Sequence, residues 1–452
     1  MEINADLHSH SGYAGGVGNI NLNEIAESMV KKGIHVFGTG DALHPEWNKQ
    51  LKENLIETEA GLFKLKGTTN QTAEVRFLLQ TELIITAAVK TSKGRKNVHV
   101  VILIPSFAAI EKIIKLLQSW GSRNTIGRPF LKCDDSDSVS ERVKRLFDIE
   151  GVELVPAHVM TPQGIYGSDN PIVFLSDFFG KSASLINAVE TGLSADPVIL
   201  NLIPELDRMT LISSSDCHSA ASNRLGREYT TLLVKEFSYR EILDSIRSNR
   251  IVSTAEFNPG EGRYFLTGHR ADKQNHNGEY CVFSPDYTPA DRICPICGKR
   301  VTVGVIERAF ELGRAQGEKR ELNFKSKVDR NFFRMVPLSE IIAYAIGVGN
   351  ANSKRVKNIY EKIVSVLNTE AALWKATVKE VEKMLSGEVK DEVVNAIAEV
   401  KSGNFTFEPL GFDGEYGALV LGQKDNWFGT NIVKKDKISR AHYANAQKTL
   451  FE

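Results

Sequence analysis

Six of the ten histidines, His8, His10, His44, His99, His158 and His218, fall in or beside short apolar runs, several of them close to Asp41, Glu82, Glu190 and Asp216. Imidazole mixed with carboxylate is the donor set of zinc, manganese and iron hydrolases. One histidine near a strand end is more often a hydrogen-bonded surface or core residue, and SSSDCHSA by itself reads as a capped helix start. Six together point to cations. In DLHSHS, residues two apart on an extended segment face the same side, so the rings of His8 and His10 can reach one ion. A second constellation lies further on. Cys294-Pro-Ile-Cys297 is a zinc half-site, since a tight turn with two intervening residues presents both sulfurs to one tetrahedral ion. Cys281 precedes it, and His269 or His276 can complete the set.

Side chains so distant in sequence meet only if strands carry them to one place. Up to about residue 255 short apolar runs alternate with amphipathic stretches such as LNEIAESMVKKG and SYREILDSIRSNR, the βα rhythm of a barrel or wound sheet. Seven runs predict strands: INADLH, HVFGTGD, RFLLQTEL, VHVVILIP, VELVPAH, SLINAVETG and MTLISSSDCH. Most give out at Asp, Glu or His, and the C-terminal ends of barrel strands converge on one mouth. His99 opens its run instead. Residues 256–303 are rich in Gly, Asn, Asp and Cys and predict a small metal-stapled module. Residues 304–425 place apolar side chains three and four apart in successive stretches, predicting a helical domain, and 426–452 predict a flexible basic tail.

The 452 residues carry 42% hydrophobic and 25% charged side chains, which is globular usage sufficient for two or three domains. Lys plus Arg number 56 and so do Asp plus Glu, so no overall basic field draws the chain to nucleic acid or anionic lipid. Any polyanion must be met locally. No run approaches the ~18 apolar residues of a membrane span, and MEINADLHSH lacks the basic and apolar regions of a secretion signal. A cytoplasmic monomer without membrane attachment is expected. Five cysteines, three of them crowded together, suit a metal site in a reducing compartment better than a disulfide framework.

The motifs DLHSH, GTGDALHP, the Glu of QTEL, NVHVVIL, PAHVMTP, AVETGLSADP, SSSDCHS and LGREY, in this order, resemble those of the PHP (polymerase and histidinol phosphatase) superfamily, and within it the endonuclease Q branch. MVPLSEI and FDGEYG extend the resemblance to about residue 417. It implies an α/β fold: a PHP-type distorted (β/α)7 barrel, then a small zinc-binding module and a C-terminal α-helical domain. It also implies two or three divalent ions (Zn, Mn, Mg or Fe) held by His8, His10, Asp41, His44, Glu82, His99, His158, Asp216 and His218. Where many PHP phosphatases have a further histidine, this chain reads SGYAGG, and Asp41 and His44 replace an Asp-His dipeptide. One metal position is therefore expected to be built differently. For the structural zinc the resemblance favours His269 with Cys281, Cys294 and Cys297, His276 being the alternative.

Two or three close cations lower the pKa of a shared water and neutralise charge on phosphoryl oxygens, so phosphate ester hydrolysis is the reaction served. Asp216 is the candidate proton acceptor, flanked by His8 and His218 as catalytic groups. Asp6 and Glu190 are expected to orient imidazoles, and Arg128 and Arg227 to hold the phosphodiester, a rim salt bridge being the alternative for each arginine. The resemblance implies damaged DNA as partner, with incision 5′ to uracil, hypoxanthine, xanthine or abasic sites. Tyr166 and Gln163 are candidates for reading the lesion. A histidinol-phosphate-like monoesterase is the alternative function, against which stand the zinc module and the helical end. Residues 299–334 hold ten Lys or Arg against five Asp or Glu, either a phosphate-contacting stripe or a solvated helix face, and IGVGN resembles a helix-hairpin-helix turn. The terminal Gln447, Leu450 and Phe451 resemble the peptide that docks on bacterial sliding clamps.

Overall fold

All seven expected strands form, at Glu2–Asp6, Val36–Gly38, Arg76–Ala88, Arg95–Ile104, Glu153–Pro156, Ala188–Glu190 and Thr210–Ile212. The computed structural model describes residues 1–434 except 16–19, 68–71, 73, 91–93 and 125. The first three strands run parallel, with Ala5 beside Val36 and Phe37 beside Phe77. The βα rhythm then breaks. Arg76–Ala88 and Arg95–Ile104 are antiparallel, in register from Leu79 opposite Ile104 to Ala88 opposite Arg95. Only residues 89–94 join them, fewer than the dozen or more that a parallel crossover needs. Ala188–Glu190 and Thr210–Ile212 form a separate parallel pair.

Two later strands complete the wall. Tyr229–Leu233 lies antiparallel to Glu2–Asp6, and Ile251–Phe257 antiparallel to Tyr229–Leu233. Phe332–Met335 then adds in parallel to the outer edge of Ile251–Phe257. The barrel sheet thus recruits a strand from beyond residue 304, where helical sequence alone was expected. The apolar core is likewise continuous, from Ile25 and Phe77 through Phe178 and Ile306 to Ile397 and Phe412. Helix Leu22–Lys32 packs its Leu22, Ile25, Ala26 and Met29 stripe inward, capped by Asn21 and ended by Gly33 at φ 76°. Its last residue, Lys32, buries an ion pair of 2.7 Å with Glu370. Each desolvated charge compensates the other.

The Cys-rich segment is built on Thr267–His269, Tyr280–Phe283 and Asn431–Lys434. The last of these corrects the expected flexible tail from 426: Val433 pairs with Cys281 and Ile432 with Val282. A short β-branched Ile-Val run finds an open antiparallel edge there. Gln447, Leu450 and Phe451 lie outside the described residues. The module's own apolar cluster is Cys281, Phe283, Cys294 and Val301, small against the cost of ordering the segment, and Tyr280 and Val282 of the same strand pack instead into the main core.

The helical end comprises Val305–Ala315, Leu338–Ala345, Lys354–Leu367, Glu370–Lys375, Val378–Leu385 and Asp391–Lys401. Two of these, Glu370–Lys375 and Val378–Leu385, are separated by a break at Ala376 and Thr377, because Thr377 and Glu380 close a capping box at the start of the second. The basic stripe is also revised. Arg308 donates to the carbonyls of Tyr166 (3.0 Å) and Ile172 (2.6 Å), Arg320 pairs with Asp207 at 2.7 Å, and Arg334 with Asp196 at 2.6 Å. Arg330 holds the carbonyls of Leu206 and Met209. These guanidinium groups bolt the helical end to the barrel. Their five donors allow burial where lysine would not. Among the described residues no helix is long and apolar enough to cross a membrane.

Candidate metal centre

The strand ends deliver their ligands to one rim, and the carboxylate of Glu82 lies at its middle. Glu82 is 1% exposed. Its Oε1 lies 2.6 Å from His99 Nδ1, 3.4 Å from His158 Nε2 and 3.8 Å from His8 Nε2. Its Oε2 lies 3.5 Å from His10 Nε2 and 3.8 Å from Arg128 Nη1. Asp216 Oδ1 sits 3.2 Å from His10 Nε2 and 3.6 Å from His8 Nε2, with His218 Nδ1 at 3.9 Å. Three groups therefore offer ligand atoms within 4.8 Å of one another: His8, His10 and Glu82; His10, Asp216 and His218; Glu82, His99 and His158. His8 Nε2 and Glu82 Oε2 are buried without hydrogen-bond partners. Orphaned nitrogen and oxygen donors facing one another fit a divalent cation of the zinc, manganese or iron kind.

Other side chains fix these groups. Glu190 binds His8 Nδ1 at 2.9 Å and accepts the backbone N–H of His158 at 3.0 Å, so one carboxylate aims a ring and anchors the neighbouring strand end. Asp41 lies 3.3 Å from His10 Nδ1 and accepts both the backbone N–H and the hydroxyl of Ser11 at 2.6 Å. Asp6 touches no imidazole, contrary to expectation. It accepts the backbone N–H groups of Ser215 (2.9 Å) and Gly226 (3.0 Å), pinning both ends of the loop that bears Asp216 and His218. Asp41, His158 and Asp216 all have positive φ, at 43°, 30° and 46°. Left-handed backbone at three donors is strain held in place by the surrounding contacts. His44 joins none of the three groups; its ring stacks on Tyr13 at 4.4 Å.

Electrostatics follow from this crowding. Burial opposes charge on His8, yet Glu190, Asp216 and Glu82 overcome it and raise its pKa to about 9. Burial is likewise outweighed at His10, which Asp216, Asp41 and Glu82 raise to about 10. For Glu82 and Asp216 burial favours the neutral acid, but the adjacent imidazoles hold both well below the usual carboxylate range. Without cations, protons stay on the rings to balance the carboxylates.

The rim opens into a cleft of about 1410 Å³, lined by His10, Glu82, His99, His158, Asp216 and His218 at one end. Arg128 and Arg227 reach it as expected. Arg128 donates to the carbonyl of Ala14 at 3.1 Å, and Arg227 to that of Ser215 at 3.0 Å while lying 5.7 Å over Phe257. Gln163 lines the cleft, whereas Tyr166 is buried away from solvent and donates to Glu205 at 2.6 Å. Sequence reasoning missed Arg263, which lies 5.9 Å from the Tyr264 ring and 5.5 Å from that of Tyr416, all three in the cleft wall. The quoted FDGEYG contains Tyr416, the signal that could have found it. Asn350 and Asn352, in the turn between helices Leu338–Ala345 and Lys354–Leu367, line the same cleft, so the IGVGN turn faces the metal rim.

In the Cys-rich module His269, His276, Cys294 and Cys297 offer ligand atoms within 4.8 Å of one another. His276 Nε2 lies 3.4 Å from Cys294 Sγ, His269 Nδ1 3.5 Å from Cys297 Sγ, and Cys281 Sγ 3.6 Å from Cys294 Sγ. Both candidate histidines belong to this group of four, whereas Cys281, expected as a ligand, lies outside it and approaches Cys294 alone.

The chain resembles known proteins at two scales. Residues 337–404 match the family described as the MJ0043 C-terminal domain. The uncharacterized protein MJ0043 of Methanocaldococcus jannaschii is 29% identical over 252 residues, 54% of this chain, which spans 30% of that relative's length. Two solved structures are similar over nearly the whole chain. One is the lesion-specific endonuclease PfuEndoQ from Pyrococcus furiosus, 26% identical with a TM-score of 0.75, covering 93% of this chain and 96% of that one. The other is endonuclease Q in complex with a 27-mer duplex bearing an abasic lesion at its active site, 25% identical with a TM-score of 0.76, covering 96% and 99%.

Cations must displace the protons that His8 and His10 carry. The raised ring values stabilise the metal-free fold fully below the ordinary histidine range, near 6.5, and this contribution is lost as pH rises through about 9 and 10. Manganese binding is therefore expected to tighten between pH 6 and 9 and to release protons. Calorimetric titration of metal-free protein in two buffers of different ionisation enthalpy measures this; identical heats would contradict it.

Proposed function

Because the chain has the endonuclease Q architecture along its described length, we propose that it is a metal-dependent DNA repair endonuclease. It hydrolyses the phosphodiester 5′ to deaminated bases (uracil, hypoxanthine, xanthine) and to abasic sites. The observation that carries this reading is the continuity of the donor rim with a cleft of about 1410 Å³ whose wall includes the Asn350–Asn352 turn. Sites for small molecules usually occupy roughly 300–1,000 Å³. A monoesterase has no use for the additional wall.

The barrel ions would be held by His8, His10, Glu82, His99, His158, Asp216 and His218, with Asp41 behind His10. When bound, divalent cations supply an acidified water and neutralise charge on phosphoryl oxygens. Asp216, kept ionised by its imidazole neighbours, accepts the proton of the attacking water. Arg128 and Arg227 turn guanidinium groups toward the phosphate, and the turn at Asn350 offers backbone N–H groups to the duplex backbone. A deaminated base pairs poorly, so extruding it into the cleft costs less than extruding a normal one.

Asp216→Asn is expected to lower incision of a uracil-containing duplex by at least about a hundredfold while duplex affinity persists. Gel assays with manganese, run beside a phosphate monoester, decide the reading; turnover of the monoester alone by the unaltered protein would refute it. For the second site we propose one structural zinc held by Cys294, Cys297 and two of His269, His276 and Cys281. Zinc content of the five single substitutions assigns the ligands: loss is expected without Cys294, without Cys297 and without two of the other three, and full zinc content without either Cys294 or Cys297 would overturn the proposal. Clamp docking through Gln447, Leu450 and Phe451 rests on sequence alone. Deletion of 447–452 is expected to abolish capture by a bacterial clamp and leave incision of short duplexes unchanged; retained capture would overturn it.

A further inference from the structure

The loop carrying Asp216 and His218 joins strand Thr210–Ile212 to strand Tyr229–Leu233 and is tied on two sides. On the barrel side Asp6 holds the N–H groups of Ser215 and Gly226. On the other side the loop reaches the helical end through Asn223, which is 1% exposed. Asn223 Nδ2 donates to Glu340 Oε1 at 3.0 Å, in helix Leu338–Ala345. Asn223 Oδ1 accepts from Asn352 Nδ2 at 3.3 Å, in the turn that leads into Lys354–Leu367. One amide thus touches both arms of the helical hairpin. Its two ends are not interchangeable. A carboxylate needs a donor, an amide nitrogen needs an acceptor, and at this position only an amide provides both.

Behind Glu340 stands the buried Glu261, whose carboxyl burial and the neighbouring Glu340 push well above the usual carboxylate range. The chain of contacts runs from Glu261 through Glu340 and Asn223 into the loop of Asp216 and His218. Asn223 and Asn352 both line the cleft into which the metal rim opens.

We infer that Asn223 is a positioning residue that couples the helical hairpin to the metal-bearing loop, so that the hairpin's placement on a duplex sets the placement of Asp216 and His218. This rests on the nuclease reading. Asn223 belongs to none of the ligand groups and acts through the loop. The expected signature is a change in turnover with little change in duplex affinity.

An exchange of partners tests it. Asn223→Asp sets a carboxylate against Glu340 and is expected to lower kcat by at least about tenfold, with KM and duplex affinity within about threefold. Combining Asn223→Asp with Glu340→Gln restores a donor opposite an acceptor, and kcat is expected to return to within about threefold of the unaltered protein. Recovery in the pair also shows that the single variant had not failed merely through misfolding. Undiminished kcat in Asn223→Asp, or a pair no faster than the single variant, overturns the inference. If the unaltered protein cuts no lesion-bearing duplex, the nuclease reading falls instead. Manganese affinity of the barrel in the same three proteins then decides the coupling: weakening and recovery support it, and equal affinities overturn it.

Discussion

Ionised carboxylates buried among imidazoles impose the constraint on which the rest of the structure depends. Glu82 holds negative charge where water is excluded, and Asp216, partly open to the cleft, holds it beside the same rings; such charge persists only if it is matched at close range. Glu82 has four imidazoles and a guanidinium within 3.8 Å. Satisfying it requires side chains from four separate stretches of chain, at His8 and His10, His99, Arg128 and His158. The left-handed backbone at Asp41, His158 and Asp216 is a consequence of the same demand. So is Gly127, where a Cβ would lie 2.3 Å from the Asp41 carboxylate carbon.

The remaining charged residues divide into two populations that composition cannot separate. Arg308, Arg320, Arg330 and Arg334 are consumed in holding the helical end to the barrel. Arg128, Arg227 and Arg263 instead border the cleft. A balanced overall charge therefore conceals a cleft in which these arginines stand among acidic residues such as Glu82, Asp169 and Asp413. The acidic residues divide similarly: Glu190 aims a ring, Asp6 pins a loop, and Glu340 receives the amide of Asn223.

The Cys-rich module lies at the opposite extreme from the barrel. Its apolar cluster is small, and its sheet is completed by a strand from residues 431–434, so it depends on neighbours for its shape. Its five crowded donors and the barrel's nitrogen and oxygen donors suit different chemistry: thiolates enclose a structural ion, while carboxylates and imidazoles at an open rim leave room for reactants.

Much was legible in the sequence because it is encoded locally. The seven strands, the helical periodicity and the CxxC turn depend on residues adjacent or a few positions apart and form where expected; of the nine expected barrel donors, His44 and Asp41 stand outside the three groups that gather at the rim. The capping box of Thr377 and the short link at 89–94 were equally local, and their effects on helix length and strand direction were readable but unread. What tertiary structure alone decided is pairing across long separations. Nothing near Asp6 in sequence tells whether its carboxylate meets an imidazole or two backbone amides more than 200 residues away. Nor does the basic run 299–334 reveal that Arg308 and Arg330 face carbonyls and Arg320 and Arg334 carboxylates while Arg300 and Arg314 stay exposed, since a guanidinium's role is set by the acceptors that folding brings to it.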